Sequence, residues 1–155
     1  MAFGANYRMP YGKPPYAIYG FLGSSIWERA QINVVCETVK DFAPEISQFF
    51  AEKDETRKAE LKKAYLTVGV YKHIGNLEKL LKQNNDGTGW FVGDKVSLAD
   101  VEAFARVYDF ISFLDGKEPG DFDLKDHAVF KGFIERFKSQ PKIADWISKR
   151  PQTSL

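Results

Sequence analysis

The stretch Trp90-Phe91-Val92-Gly93-Asp94-Lys95-Val96-Ser97-Leu98-Ala99-Asp100 decides how this chain is read. Its second half has the pattern of a helix start. Ser97 suits the N-cap, where a hydroxyl accepts a hydrogen bond from an orphan backbone N–H one turn on. Asp100, three residues later, is placed to reach back to the Ser97 amide and lies at the positive end of the helix dipole. Val96 and Val101 take the two positions of a hydrophobic staple. Beyond the cap, Val101, Phe104, Ala105, Tyr108 and Ile111 recur at the spacing of one helical face. The first half is apolar and ends at a turn at Gly93. An aromatic anchor, a turn, a double cap and a core helix therefore come within a short span.

Upstream of this stretch, the spacing predicts two long helices. Ile32, Val35, Val39, Phe42, Ile46 and Phe49 form one stripe over about residues 27–50, with Pro44 inside it. A proline there removes a hydrogen bond and is expected to kink the helix or split it in two. Leu61, Tyr65, Val68, Tyr71, Ile74, Leu77 and Leu81 form a second stripe over about 57–82. Gly69 and Gly75 on this helix read as places where a neighbour packs closely. The run Gln83 to Gly89 is a loop, and either Ser24 or Ser25 suits the cap of the first helix. Downstream, 116–125 reads as loop. Val129, Phe130, Phe133, Ile134 and Phe137 mark another amphipathic helix. Pro141 opens a last one, with Ile143, Trp146 and Ile147 as its buried face and Arg150-Pro151 as its stop. The fold class expected is mainly all-α, with about five helices.

Composition narrows the function. The chain has 155 residues, 44% of them hydrophobic and 15% aromatic, enough for a single cored domain. Its 22 basic and 21 acidic residues nearly cancel, which argues against a nucleic-acid footprint. No run of about eighteen apolar residues is present, so no membrane span is expected. The single cysteine, Cys36, excludes an internal disulfide and points to a reducing, cytoplasmic setting. The head of the chain, with Pro10, Pro14 and Pro15, does not resemble a signal peptide.

Few residues stand out chemically. His73 and His127 share no face with cysteine or carboxylate ligands, so they read as ordinary histidines and no metal is expected. Cys36 reads as a small core residue, with no histidine near it in sequence to activate it. The charges from Glu52 to Lys63 read as a solvated face. Tyr7, Tyr11, Tyr16 and Tyr19 read as aromatic packing. No glycine-rich phosphate loop follows a strand.

The cap motif resembles that of the cytosolic glutathione transferases, in which a glycine precedes a [Ser/Thr]-x-Ala-Asp cap; Gly93, Ser97, Ala99 and Asp100 supply it here. Gln140 to Leu155 is similar to the tail of the sigma class, which includes the haematopoietic prostaglandin D synthases. Ala30 to Phe42 resembles that class's dimer-interface helix. The resemblance implies the helical C-terminal domain over 24–155 and a short remnant of a thioredoxin-like, glutathione-binding domain over 1–23. Met9-Pro10-Tyr11-Gly12-Lys13-Pro14-Pro15 is similar to the family segment that borders glutathione. By that match Lys13, Pro15 and, across a homodimer, Asp41 are the implied glutathione-binding residues. Pro14 departs from the branched apolar residue expected there. Lys40 stands where the prostaglandin synthase has a carboxylate, which argues against a divalent-cation cluster.

The resemblance also implies function. Glutathione is the expected co-substrate, a small electrophile its partner, and the helix around Glu37–Phe42 the expected homodimer contact. The catalytic tyrosine region of the family has no counterpart here, so weak or absent activity is expected of this chain. Two alternatives stand beside that reading: a non-enzymatic structural or interaction protein of transferase descent, comparable to the lens crystallins, and a truncated isoform or partial gene product. Loss of the covering domain is expected to expose an apolar patch unless the head folds over it.

Overall fold

The computed structural model describes residues 20–115 and 123–149, with the backbone alone described over 109–115. All regular elements among them are helical. Helix α1 spans Ile26–Lys40, α2 Ala43–Ala51, α3 Glu55–Ala64 and α4 Val70–Lys82, with a π-turn at Tyr65–Gly69 between the last two. Helix α5 spans Leu98–Asp115, α6 Ala128–Lys138 and α7 Pro141–Lys149. Taken as rods, α1 with α2 and α3 with α4 each form one long broken helix, so the expected five remain.

The breaks have local causes. Ser25 is the N-cap of α1: its hydroxyl accepts from the Glu28 amide at 3.1 Å. The Glu28 carboxylate returns to the Ser24 hydroxyl at 2.7 Å, so both serines are used. At the far end Pro44 splits the rod rather than bending it. Helix α1 stops at Lys40, and Pro44 falls in the first turn of α2, where its missing N–H costs nothing. The stripe survives the break: Ile32, Val35, Val39, Phe42 and Ile46 are all buried.

The second rod corrects the predicted stripe. Val68, expected inside, is 67% exposed, while Val70 is fully buried. The reason is the π-turn. The Val70 amide donates to the Tyr65 carbonyl, an i to i+5 bond that inserts one residue into the helical register. From buried Tyr65 the inward face therefore jumps to Val70, then runs through His73, Ile74, Leu77 and Leu81. Gly69 lies within this turn, and a Cβ there would collide with the Glu45 carboxylate of α2.

Helix α5 is the axis of the bundle, packed by α1 on one side and α6 on another. Ala99, Asp100, Ala103, Phe104, Val107 and Tyr108 are all buried, a wider face than the predicted stripe, and Val101 and Ala105 sit only half-buried. A central helix is covered on several sides, so a single-face pattern undercounts it. Phe130, Phe133, Ile134 and Phe137 of α6 complete the core. In α7, Ile143 and Ile147 pack against the core, but Trp146 is 56% exposed and does not belong to the buried face. The predicted stop at Arg150-Pro151, the side chain of Ile111 and most of the 116–125 loop lie outside the described residues.

Candidate functional site

Asp100 holds the start of α5 together. It has no solvent exposure. One oxygen accepts from the Ser97 amide and the Ser97 hydroxyl, each at 2.8 Å. The other accepts from the Phe91 amide at 2.9 Å. Ser97 thus donates its hydroxyl to Asp100, and the carboxylate ties the helix start to the Trp90-Phe91 turn nine residues back. Burial pushes the Asp100 carboxyl above its usual range, and these bonds only partly offset that.

Other side chains fasten the same turn. Asn84, at the end of α4, donates its amide to the Trp90 carbonyl at 2.9 Å and to the Gly93 carbonyl at 2.7 Å. Arg136 of α6 donates to the Gly87 carbonyl at 3.1 Å and the Gly89 carbonyl at 2.5 Å, and its guanidinium lies over the Trp90 ring at 5.8 Å. Glu78 of α4 accepts from the Phe130 amide at 3.1 Å, serving as a cap for α6 from another helix, and also takes Lys82 at 2.7 Å. None of these three residues was singled out by the sequence. Asn84 carried the weak signal of a loop-edge amide. Arg136 and Glu78 act across 47 and 52 residues, a separation no local pattern encodes.

The remaining expected site residues are scattered. Gly93 has a φ of +68° at the turn, within the Asp100 assembly. Asp41 lies apart from it, exposed at the C-cap of α1, its amide donating to the Thr38 and Val39 carbonyls. Beside it Lys40 pairs with Glu37 at 2.5 Å. Lys13 and Pro15 lie outside the described residues. Among the described residues no group of three or more potential ligands is placed to hold a metal ion.

Burial, with the nearby charge of Glu102, pushes the Cys36 thiol up to about 11. At neutral pH it stays protonated and is not a ready nucleophile. His73 is buried in the core rather than at the surface. Its Nε2 sits 3.3 Å from a Glu45 oxygen, and its ring lies 4.7 Å from Phe42. Tyr65 nearby is buried too, and burial together with the Glu45 charge keeps its phenol protonated. His127 is half-buried, its ring stacked on Tyr71 at 6.0 Å. A cleft of about 230 Å³ opens between α1, the end of α4 and the Phe91–Gly93 turn, with Trp27, Val34 and Leu80 among its walls.

Residues 40–150 match the family described as "Glutathione S-transferase, C-terminal domain". The chain is similar to S-crystallin SL11 of Nototodarus sloanii, with 27% identity over 137 residues, 88% of this chain and 63% of that protein. It is 30% identical over 138 residues to Glutathione S-transferase 1 of Ascaris suum, covering 87% of this chain and 63% of the relative. Among solved structures, prostaglandin synthase D of Nilaparvata lugens superposes with a TM-score of 0.71 at 27% identity, covering 89% of this chain and 65% of that one. The chain therefore spans somewhat under two thirds of the length of these relatives.

Proposed function

Because the chain belongs to the glutathione S-transferase family through its C-terminal domain, we propose that it supplies the helical wall of a glutathione-dependent site, with glutathione as co-substrate and a small electrophile as its partner. In such a reaction the glutathione thiolate attacks the electrophile, and the protein lowers the thiol pKa and holds the tripeptide. The observation that carries this reading is the Asp100 assembly inside the matched region, which ties the start of α5 to the Phe91 turn while α5 packs on α1. The Cys36 thiol, held protonated, and the Tyr65 hydroxyl, buried in the core, are poor candidates for the activating group.

In this reading residues 1–23 are the remnant of the glutathione-binding domain, and Lys13 and Pro15 border the tripeptide. Asp41, exposed at the end of α1, reaches glutathione across a homodimer formed through the helix around Glu37–Phe42. The chain by itself conjugates weakly or not at all. Assay of the purified chain with glutathione and a standard aryl halide tests this; turnover well above the uncatalysed rate overturns it.

A structural role without catalysis is the second reading, favoured by the similarity to S-crystallin SL11. Passage over immobilised glutathione separates the two. A glutathione-binding relative is retained and released by free glutathione, and loses retention in Asp41→Ala. A structural protein flows through.

A further inference from the structure

Polar groups converge on the otherwise apolar cleft between α1, the end of α4 and the Phe91–Gly93 turn. On α1, Trp27, Gln31, Val34 and Val35 recur at helical spacing and present one face to it. Val35, Phe91 and Val92 are buried and make its floor, while Trp27 is 71% exposed and Val34 53% exposed at its mouth. The floor is fixed before anything binds. Asp100 accepts from the Phe91 amide at 2.9 Å, and the Asn84 side chain donates to the Gly93 carbonyl at 2.7 Å. A recess with walls already in place gives a ligand apolar contact without the cost of reorganising them.

Carboxamides supply the polar part. Gln31 comes from α1, and Gln83 and Asn84 come from the end of α4. The Asn84 amide nitrogen is committed to the Trp90 and Gly93 carbonyls, so its carbonyl oxygen is the acceptor it brings to the cleft. Gln31 and Gln83 have no hydrogen-bond partner among the described residues, and each can donate and accept. No charged side chain lines the cleft. Glu28, which approaches Gly93 from outside, is bonded to the Ser24 hydroxyl at 2.7 Å, and its charge disfavours an anion nearby.

We propose that this cleft is an accessory binding site for a neutral, planar aromatic molecule that carries a carboxamide or lactam. Its ring packs on Trp27 and Phe91. Its N–H donates to the Asn84 carbonyl oxygen, and its carbonyl accepts from Gln31 or Gln83. At about 230 Å³ the cleft is at the small end for ligand sites and holds one or two fused rings. It is too small and too uncharged for a tripeptide with free carboxylates. Asp41 lies at the other end of α1, whose 15 residues span about 22 Å. Occupancy of the cleft is therefore independent of the proposed glutathione contact.

The probe is isoindolin-1-one, a neutral bicyclic lactam, titrated into the isotope-labelled full chain while the backbone amide signals of Val35, Leu80 and Phe91 are followed by NMR. Saturable shifts are expected at these residues. Affinity should fall about tenfold in Trp27→Ala and several-fold in Gln31→Leu; Trp27 is mostly exposed, so its removal leaves the fold intact. N-methylisoindolin-1-one, which has no N–H to give, and benzoate, which is charged, are each expected to bind several-fold more weakly. Equal binding of the three compounds overturns the proposal, as does the absence of saturable shifts. Shifts that appear only as a dimer dissociates on dilution, followed by sizing, assign the cleft to a second copy and also overturn it. Glutathione is expected to leave the lactam affinity unchanged, and competition between the two refutes a separate site.

Discussion

Replacing Asp100 by alanine should be the most damaging single change at the cap. The carboxylate is fully buried and satisfies the Phe91 amide, the Ser97 amide and the Ser97 hydroxyl. In Asp100→Ala the hydroxyl is free to rotate toward another acceptor, but two buried amides lose theirs. Each unsatisfied amide costs about 1–3 kcal/mol. Relief from burying a carboxylate returns part of that, so the net loss is about 3–4 kcal/mol, at the upper end for point changes. With a urea m-value of about 2 kcal/mol/M for a domain of this size, the midpoint drops by about 1.5–2 M. Ser97→Ala, which leaves both amide bonds in place, costs about 1 kcal/mol. The assay is urea unfolding followed by helical circular dichroism, with exposed Asp94→Ala as the control. A midpoint for Asp100→Ala close to wild type, or a Ser97→Ala loss as large, would refute the reasoning. Acidification adds a second check. Because burial raises the Asp100 pKa in the folded state, the proton-linked part of its contribution is fully present below the ordinary Asp value of 3.8 and is lost as pH rises through the raised folded value, leaving the hydrogen bonds. The deficit of Asp100→Asn should therefore widen as pH falls.

Glu78 should show the opposite pH trend. Burial alone would raise its pKa, but the bonds from Lys82 and the Phe130 amide outweigh that and hold it below the usual 4.5. Its stabilisation is present above that value and is lost as pH falls through the lowered folded one, so Glu78→Gln should flatten part of the acid limb of the stability profile and cost about 1–2 kcal/mol at neutral pH. Gly87→Ala should destabilise by about 2–4 kcal/mol in the same urea assay. Its φ is +78°, and an added Cβ would collide with the Val129 side chain.

Much of the fold was legible because helices announce themselves locally. The stripe through Ile32, Val35, Val39, Phe42 and Ile46 is buried as its spacing requires, and it continues across Pro44 because proline fits the first turn of the next helix. The errors fall where a local rule met a non-local fact. A 3.6-residue period carried through Tyr65–Gly69 puts Val68 inside, but the i to i+5 bond of Val70 shifts the register there. The spacing of Trp146 matches Ile143 and Ile147, but α7 lies at the margin of the bundle and Trp146 is 56% exposed there. The implied glutathione contacts Lys13 and Pro15 rest on resemblance alone, and Asp41 stands exposed and away from the cap.

The stretch from Trp90 to Asp100 shows how far sequence reaches by itself. Ser97 and Asp100, three residues apart, determined that a helix starts there, because a capping bond needs only a short span of backbone. The amphipathic periods likewise determined the mainly helical class, which the described residues share. What only the tertiary structure decided is why that cap is buried and what it fastens. The second Asp100 oxygen takes the Phe91 amide, while Asn84 and Arg136 hold the same turn from α4 and α6. These bonds join groups distant in sequence, and they form only once the helices are packed and water is excluded, so their partners are set by the packing of the bundle rather than by any local pattern.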